Sequence, residues 1–141
     1  MFFTDQLNNT IELTDLPKRV ISLVPSQSEL LWDLGLREEL VGITKFCVHP
    51  KEMFHSITRI GGTKTLNITK IRELQPDIII GNKEENDYSQ IIELQKEFKV
   101  WMSDIYTLND FLIVKAISLA FCFLLTSSPR LSIINKESFS V

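Results

Sequence analysis

Residues 19–35 read RVISLVPSQSELLWDLG. Arg19 to Val24 is a short apolar run, rich in β-branched residues and too compact for a helix. It predicts a strand buried on both faces, as in a parallel sheet. Pro25 stops it. Ser26-Gln27-Ser28-Glu29 has the form of a capping box, in which Ser26 is expected to take a backbone N–H of the first turn while Glu29 reaches back. Leu30, Leu31 and Leu34 supply an apolar helix face, and Gly35 fits a C′ residue. A buried strand therefore turns sharply into a capped helix. In open α/β sheets, ligands sit at that kind of edge.

Outward from this stretch the alternation continues. Upstream, Phe2–Thr4 and Thr10–Leu13 are strand-like around an Asn8-Asn9 turn, which predicts a hairpin. Downstream, Leu40–Thr44 (LVGIT) reads as a strand. Lys45–Thr58 reads as a loop with a helical turn after Pro50. Arg59–Thr63 (RIGGT) ends in a glycine pair. Asn67 is placed to cap a helix over Ile68–Gln75, ended by Pro76, which cannot continue the ladder. Asp77–Gly81 (DIIIG) is a second clear buried strand, Tyr88–Phe98 a helix and Val100–Met102 a further strand. The expected fold class is α/β: a Rossmann-like open parallel sheet of about four strands flanked by helices, with an N-terminal β-hairpin and a C-terminal apolar helix.

That last element follows a change of character. Thr107-Leu108-Asn109-Asp110 repeats the capping-box form. Phe111–Leu125 (FLIVKAISLAFCFLL) is then apolar on every side except Lys115 and Ser118. Fifteen residues of helix span roughly 22 Å, short of the ~30 Å hydrocarbon core, so burial against the sheet is the simpler expectation. The division expected is a lobe over 1–110 and a divergent apolar helix and tail over 111–141. Beyond Asp110 only Lys115, Arg130, Lys136 and Glu137 are charged. Such thinning is also the direction expected of a foreign reading frame, and an apolar end favours self-association.

The 141 residues suffice for one domain with a sizeable core. With 44% hydrophobic and 23% charged residues, a net charge of −3 and no basic run, nucleic acid and anionic membranes are poor partners. Cys47 and Cys122 make neither a disulfide framework nor a metal pattern. The start, MFFTDQLNN, lacks a basic segment followed by a long apolar one. No signal peptide is expected from it, which points to the cytoplasm.

The strand–helix RVISLVPSQSELLWDLGL, the following LVGIT, the IGGT–LNITKIRELQPDIIIG block and the closing VWMSDIYTLND together resemble the substrate-binding proteins of ABC importers for cobalamin, ferric siderophores and haem, the helical backbone metal receptors. The resemblance covers roughly Ile11 to Asp110 and is strongest from Gly61 to Ile80. It implies the first of two α/β lobes that hold ligand between them, with a joining helix beginning near Thr107 and no second lobe following. It also implies a transporter permease as partner and a cell-envelope location. Many members carry an acidic residue where this chain has Thr69, near the contact with the transporter.

The loops at the carboxyl ends of the strands are expected on one rim. The residues expected to contact ligand there are Pro25, Ser26, Gln27, Phe46, His49, Gly61, Gly62, Asn82, Lys83 and Tyr106. The Ser26 turn offers N–H groups at a helix start, suited to an anionic or amide-rich edge. Gly61-Gly62 either lets ligand approach the backbone or forms a turn needing φ > 0. Phe46 either stacks on a flat macrocycle or packs under its loop. His49 is a metal ligand only if partners join it, and none is evident. On an extended segment, Cys47 and His49 would share a face. Without an orienting acid or oxyanion motif, catalysis is not expected. Lys83–Asn86 reads as a charged loop on the rim, by default a solvated surface and alternatively in polar contact with ligand side groups. Trp32 and Trp101 are expected in the core.

Three functions follow. The first is binding of a metal chelate by one lobe of a receptor, with no covalently held cofactor. The second is a small hydrolase-like or nucleotide-using enzyme, although VPSQSE lacks the G-x-S-x-G elbow and no phosphate-binding glycine motif occurs. The third is a non-functional truncated product.

Overall fold

The computed structural model describes residues 2–105. The capping box at Thr107, the apolar helix over 111–125, the boundary near 110 and Tyr106 lie outside them. Two antiparallel strands, β1 (Phe2–Thr4) and β2 (Thr10–Glu12), form the expected hairpin. They precede a parallel sheet of β3 (Val20–Ser22), β4 (Leu40–Ile43), β5 (Thr58–Arg59), β6 (Ile78–Asn82) and β7 (Val100–Ser103). Its order is β5-β4-β3-β6-β7. The sheet has five strands rather than about four. The strand missed, β5, is two residues long and exposed, so it carries no apolar run to read.

Period-two alternation divides the core into two layers. Val20, Ile78 and Trp101 face one side with Leu31, Trp32, Leu40, Ile43 and Met53. Ile21, Ile79, Val100 and Met102 face the other with Ile60, Ile71, Ile91 and Leu94. Helices α1 (Pro25–Asp33) and α2 (Lys51–Ser56) cover the first face. Helices α3 (Ile68–Leu74) and α4 (Tyr88–Gln95) cover the second. The sheet is therefore doubly wound. The chain leaves β3 for β4 in one direction and β6 for β7 in the other, so the switch point lies between β3 and β6.

The helix ends show which local signals worked. Asn67 accepts from the Lys70 amide and Asp87 from the Gln90 amide, each side chain capping its helix. Gly35, at φ 89°, ends α1: its amide bonds the Trp32 carbonyl while Leu36 bonds Leu31, the Schellman pattern. The expected capping box at Ser26 is not formed. Val24 is the N-cap, without a side-chain cap bond, and Pro25 occupies the first turn. Proline there is preset at a helical φ and lacks only an N–H that would have been unpaired. Helix α4 also stops before Phe98, whose amide still bonds the Leu94 carbonyl.

The hairpin guards a sheet edge. Asp5, 4% exposed, accepts from the Leu7 and Asn9 amides with one carboxylate oxygen. Its other oxygen accepts from the Met102 amide at 3.1 Å. The Gln6 amide bonds the Met102 carbonyl, and Gln6 Oε1 accepts from the Asp104 amide at 2.8 Å. The open side of β7 is thus occupied rather than left as a template for another strand. Among the described residues no helix is long and apolar enough to cross a membrane.

Candidate functional site

Parallel pairing puts the carboxyl ends of all five strands on one edge of the sheet. The loops after Val24, Ile43, Arg59, Asn82 and Ser103 therefore share the rim expected from the sequence. Beneath them lies a layer of buried polar side chains. Ser28 Oγ is 2.8 Å from Ser22 Oγ and 2.9 Å from the Val24 carbonyl. Cys47 Sγ donates to Ser28 Oγ at 3.2 Å and lies 3.2 Å from Thr44 Oγ1. On the other side of the switch point, Ser103 Oγ accepts from Gln27 Nε2 at 2.6 Å and Asn82 Nδ2 at 3.1 Å, and donates to the Gly81 carbonyl.

The rim residues divide by this layer. Ser26, Phe46, His49 and Lys83 are exposed, and Pro25 is half-buried at the first turn of α1. Gln27 and Asn82 are buried, their amides holding Ser103. Phe46 remains 53% exposed, so it does not pack under its loop; Lys45 Nζ stands 5.2 Å from its ring centroid. Lys83 Nζ pairs with Asp104 at 3.2 Å. Gly61 has φ 105°, and a Cβ there would meet the Thr65 carbonyl oxygen at 2.5 Å. A Cβ on Gly62 would meet the Phe46 ring at 3.2 Å. The chain itself uses both absences, one for a tight turn and one to seat Phe46.

Two other readings are corrected. Cys47 and His49 do not share a face: Cys47 is fully buried and His49 exposed, because the Cys47 amide closes a turn onto the Thr44 carbonyl instead of running extended. Asn86 is 4% exposed, not solvated; its carboxamide turns inward and binds three backbone groups. The only sequence signal for it is a neutral amide closing the charged run Lys83-Glu84-Glu85. Trp32 and Trp101 are buried as expected, Trp32 beneath the Arg37 guanidinium at 4.7 Å.

Among the described residues no three His, Cys, Asp or Glu side chains come together to hold a metal ion. Two buried acceptors beneath the rim, Gln27 Oε1 and Asp104 Oδ1, have no hydrogen-bond partner among the described residues. A concavity of about 710 Å³ lined by Leu13, Pro17, Lys18, Asp77, Phe98 and Lys99 lies at the opposite edge, where β3, β6 and β7 begin. It shares no residue with the rim.

Comparison with known proteins gives the same frame. The family model described as periplasmic binding protein matches residues 20–104. An uncharacterized ABC transporter substrate-binding lipoprotein of Bacillus subtilis is 29% identical over 106 residues, 75% of this chain and 32% of that protein. A vitamin B12-binding protein of Vibrio cholerae is 31% identical over 94 residues, 66% of this chain and 34% of that protein. This chain thus spans about a third of the length of the curated relatives it matches. A Staphylococcus aureus protein solved with staphyloferrin B superposes with a TM-score of 0.70 at 19% identity, over 90% of this chain and 44% of that one. At that identity the match speaks for the fold.

Proposed function

We propose that this chain, which belongs to the periplasmic binding protein family, supplies one wall of a cleft that holds a metal chelate of the cobalamin, ferric-siderophore or haem kind for an ABC importer. The observation that carries the reading is the common rim of five parallel strand ends, with Phe46 exposed upon it over Gly62. A flat aromatic face suits a planar macrocycle. Relatives named as a lipoprotein and as vitamin B12-binding proteins support a place in the cell envelope, in preference to the cytoplasm, and a permease as partner.

One wall binds weakly. Micromolar affinity is about −8 kcal/mol, and half of that corresponds to roughly millimolar. The test is titration of the full chain with cyanocobalamin, haemin and a ferric siderophore, followed by amide NMR. At millimolar ligand, one of the three shifts the Ser26, Gln27, Phe46 and Gly62 amides. No shift at these amides with any of the three refutes the binding surface. Tight one-to-one binding at micromolar ligand refutes the single wall.

The enzymatic reading makes a different forecast. A fluorophosphonate would label Ser26, or iodoacetamide would label Cys47, far above background. With Cys47 fully buried in a hydroxyl pocket, its labelling in the native chain is expected to stay at background, read by peptide mapping to separate it from Cys122.

A further inference from the structure

We propose that Asn86 is a positioning residue that locks three of the rim loops to one another at the switch point of the sheet. Its Nδ2 donates to the Leu23 carbonyl at 3.2 Å and to the Thr63 carbonyl at 3.0 Å. Its Oδ1 accepts from the Asn82 amide at 2.8 Å. Leu23 lies between β3 and Val24, the N-cap of α1, Thr63 belongs to the glycine turn after β5, and Asn82 closes β6. One carboxamide therefore spans loops that arise 63, 23 and 4 residues away in sequence. The orientation of the amide is fixed by its partners, since the reverse would set an oxygen against two carbonyls and an NH₂ against an N–H. A second feature of the chain fits this group. Gly81 supplies the space: a Cβ there would meet Asn86 Oδ1 at 2.9 Å and Met102 Sδ at 2.9 Å. In doubly wound sheets the crevice at the switch point is where ligands enter. Here Asn86 fills it and is buried. Ligand contact is thereby moved outward to the loops, whose heights this residue sets.

That these ordered loops serve a ligand rests on the binding reading above, but the test needs no ligand, so either can fail while the other stands. Hydrogen exchange is measured on the full chain for Asn86→Ala, Asn86→Asp and Met53→Ala. Met53 is fully buried on the opposite face of the sheet and controls for lost stability. The Gly62 and Thr65 amides are the reporters, because their partners lie within the glycine turn and not on Asn86. Referenced to global unfolding of each variant, both amides are expected to exchange on the order of tenfold faster in Asn86→Ala than in Met53→Ala. Asn86→Asp keeps the acceptor and loses the donors. It should loosen Gly62 and Thr65 equally while the Asn82 amide stays protected. Gly62 and Thr65 following global unfolding in both Asn86 variants would overturn the proposal, as would wild-type protection in Asn86→Asp. Should Asn86→Ala fail to fold, Asn86→Asp carries the comparison. If that also fails to fold while Met53→Ala folds, Asn86 is a folding element and not a positioning one, and the proposal is again overturned.

Discussion

Replacing Gly61 by alanine tests how the rim is built, with Gly35→Ala as its internal standard. Both glycines have positive φ, 105° and 89°. An alanine in that region costs about 1–2 kcal/mol in backbone strain. At Gly35 nothing lies within 4 Å of an added Cβ, so strain is the whole effect. At Gly61 the Cβ would stand 2.5 Å from the Thr65 carbonyl oxygen and 2.9 Å from the Asn67 nitrogen, both backbone atoms. Those atoms are engaged: the Thr65 carbonyl accepts from the Gly62 amide at 2.9 Å, and the Asn67 amide donates to the Ile60 carbonyl at 2.7 Å. Opening the turn weakens two backbone bonds, each worth about 1 kcal/mol net. Gly61→Ala is therefore expected to cost about 3–4 kcal/mol against about 1–2 for Gly35→Ala. In a domain stabilised by about 5–15 kcal/mol that difference is easily read. The assay is urea denaturation followed by fluorescence of Trp32 and Trp101, both buried in the first core layer. The Lys45 amide bonds the Gly61 carbonyl at 2.8 Å, so the Phe46 loop should loosen as well. Equal costs for the two variants, within about 0.5 kcal/mol, would show that the turn yields freely and that the close approach constrains nothing.

Two further outcomes follow from named contacts. Asp5→Ala removes the acceptor for the Leu7, Asn9 and Met102 amides, and should cost about 2–4 kcal/mol in urea while accelerating exchange at the Met102 amide; unchanged protection there would mean that the hairpin does not guard β7. The Asp87 carboxyl is held below its usual range, chiefly by the Ser89 hydroxyl and then by the Gln90 amide. A depressed folded value contributes stability above the unfolded pKa of about 4, and that stability is lost as pH falls through the folded value. Asp87→Asn keeps a competent cap and should flatten the acid limb of the stability curve below about pH 4; an unaltered limb would refute the assignment.

The strands that could be read from sequence are those buried on both faces. Val20–Ser22 and Ile78–Asn82 are flanked by strands on either side and covered by helices on both faces, so they write continuous β-branched runs. The edge strand β5 pairs only with β4 and exposes both residues, leaving its sequence unconstrained. The start of α3 was legible from its cap, Asn67, whereas α4 was expected from Tyr88 on its apolar periodicity and its cap, Asp87, went unread. The start of α1 was misread because proline preorganisation stands in for a cap, while Ser28 turns into the core and Ser26 stays exposed. The rim as a whole was legible from strand direction. The roles of Gln27, Asn82, Asn86 and Ser103 were not, since each has at least one partner in a distant loop and no local period encodes that pairing.

The buried polar layer also explains why the outer loops can be both irregular and ordered. Loops carry backbone groups that sheets would otherwise satisfy, and an unpaired buried group costs about 1–3 kcal/mol. Here side chains take that place: Asn82 Oδ1 accepts from the Glu84 and Glu85 amides, Asn86 donates to two carbonyls, and Ser103 Oγ donates to the Gly81 carbonyl. The outer residues Ser26, Phe46, His49 and Lys83 therefore stand on a base fixed before any ligand arrives. Ordering a rotamer-rich side chain on binding costs about 0.5–1.5 kcal/mol, so a base already fixed removes part of what association would otherwise oppose. A wall with few contacts gains most from this economy. Under the binding proposed above, specificity would fall to these outer positions, where substitution changes what the ligand meets while the buried polar layer stays in place.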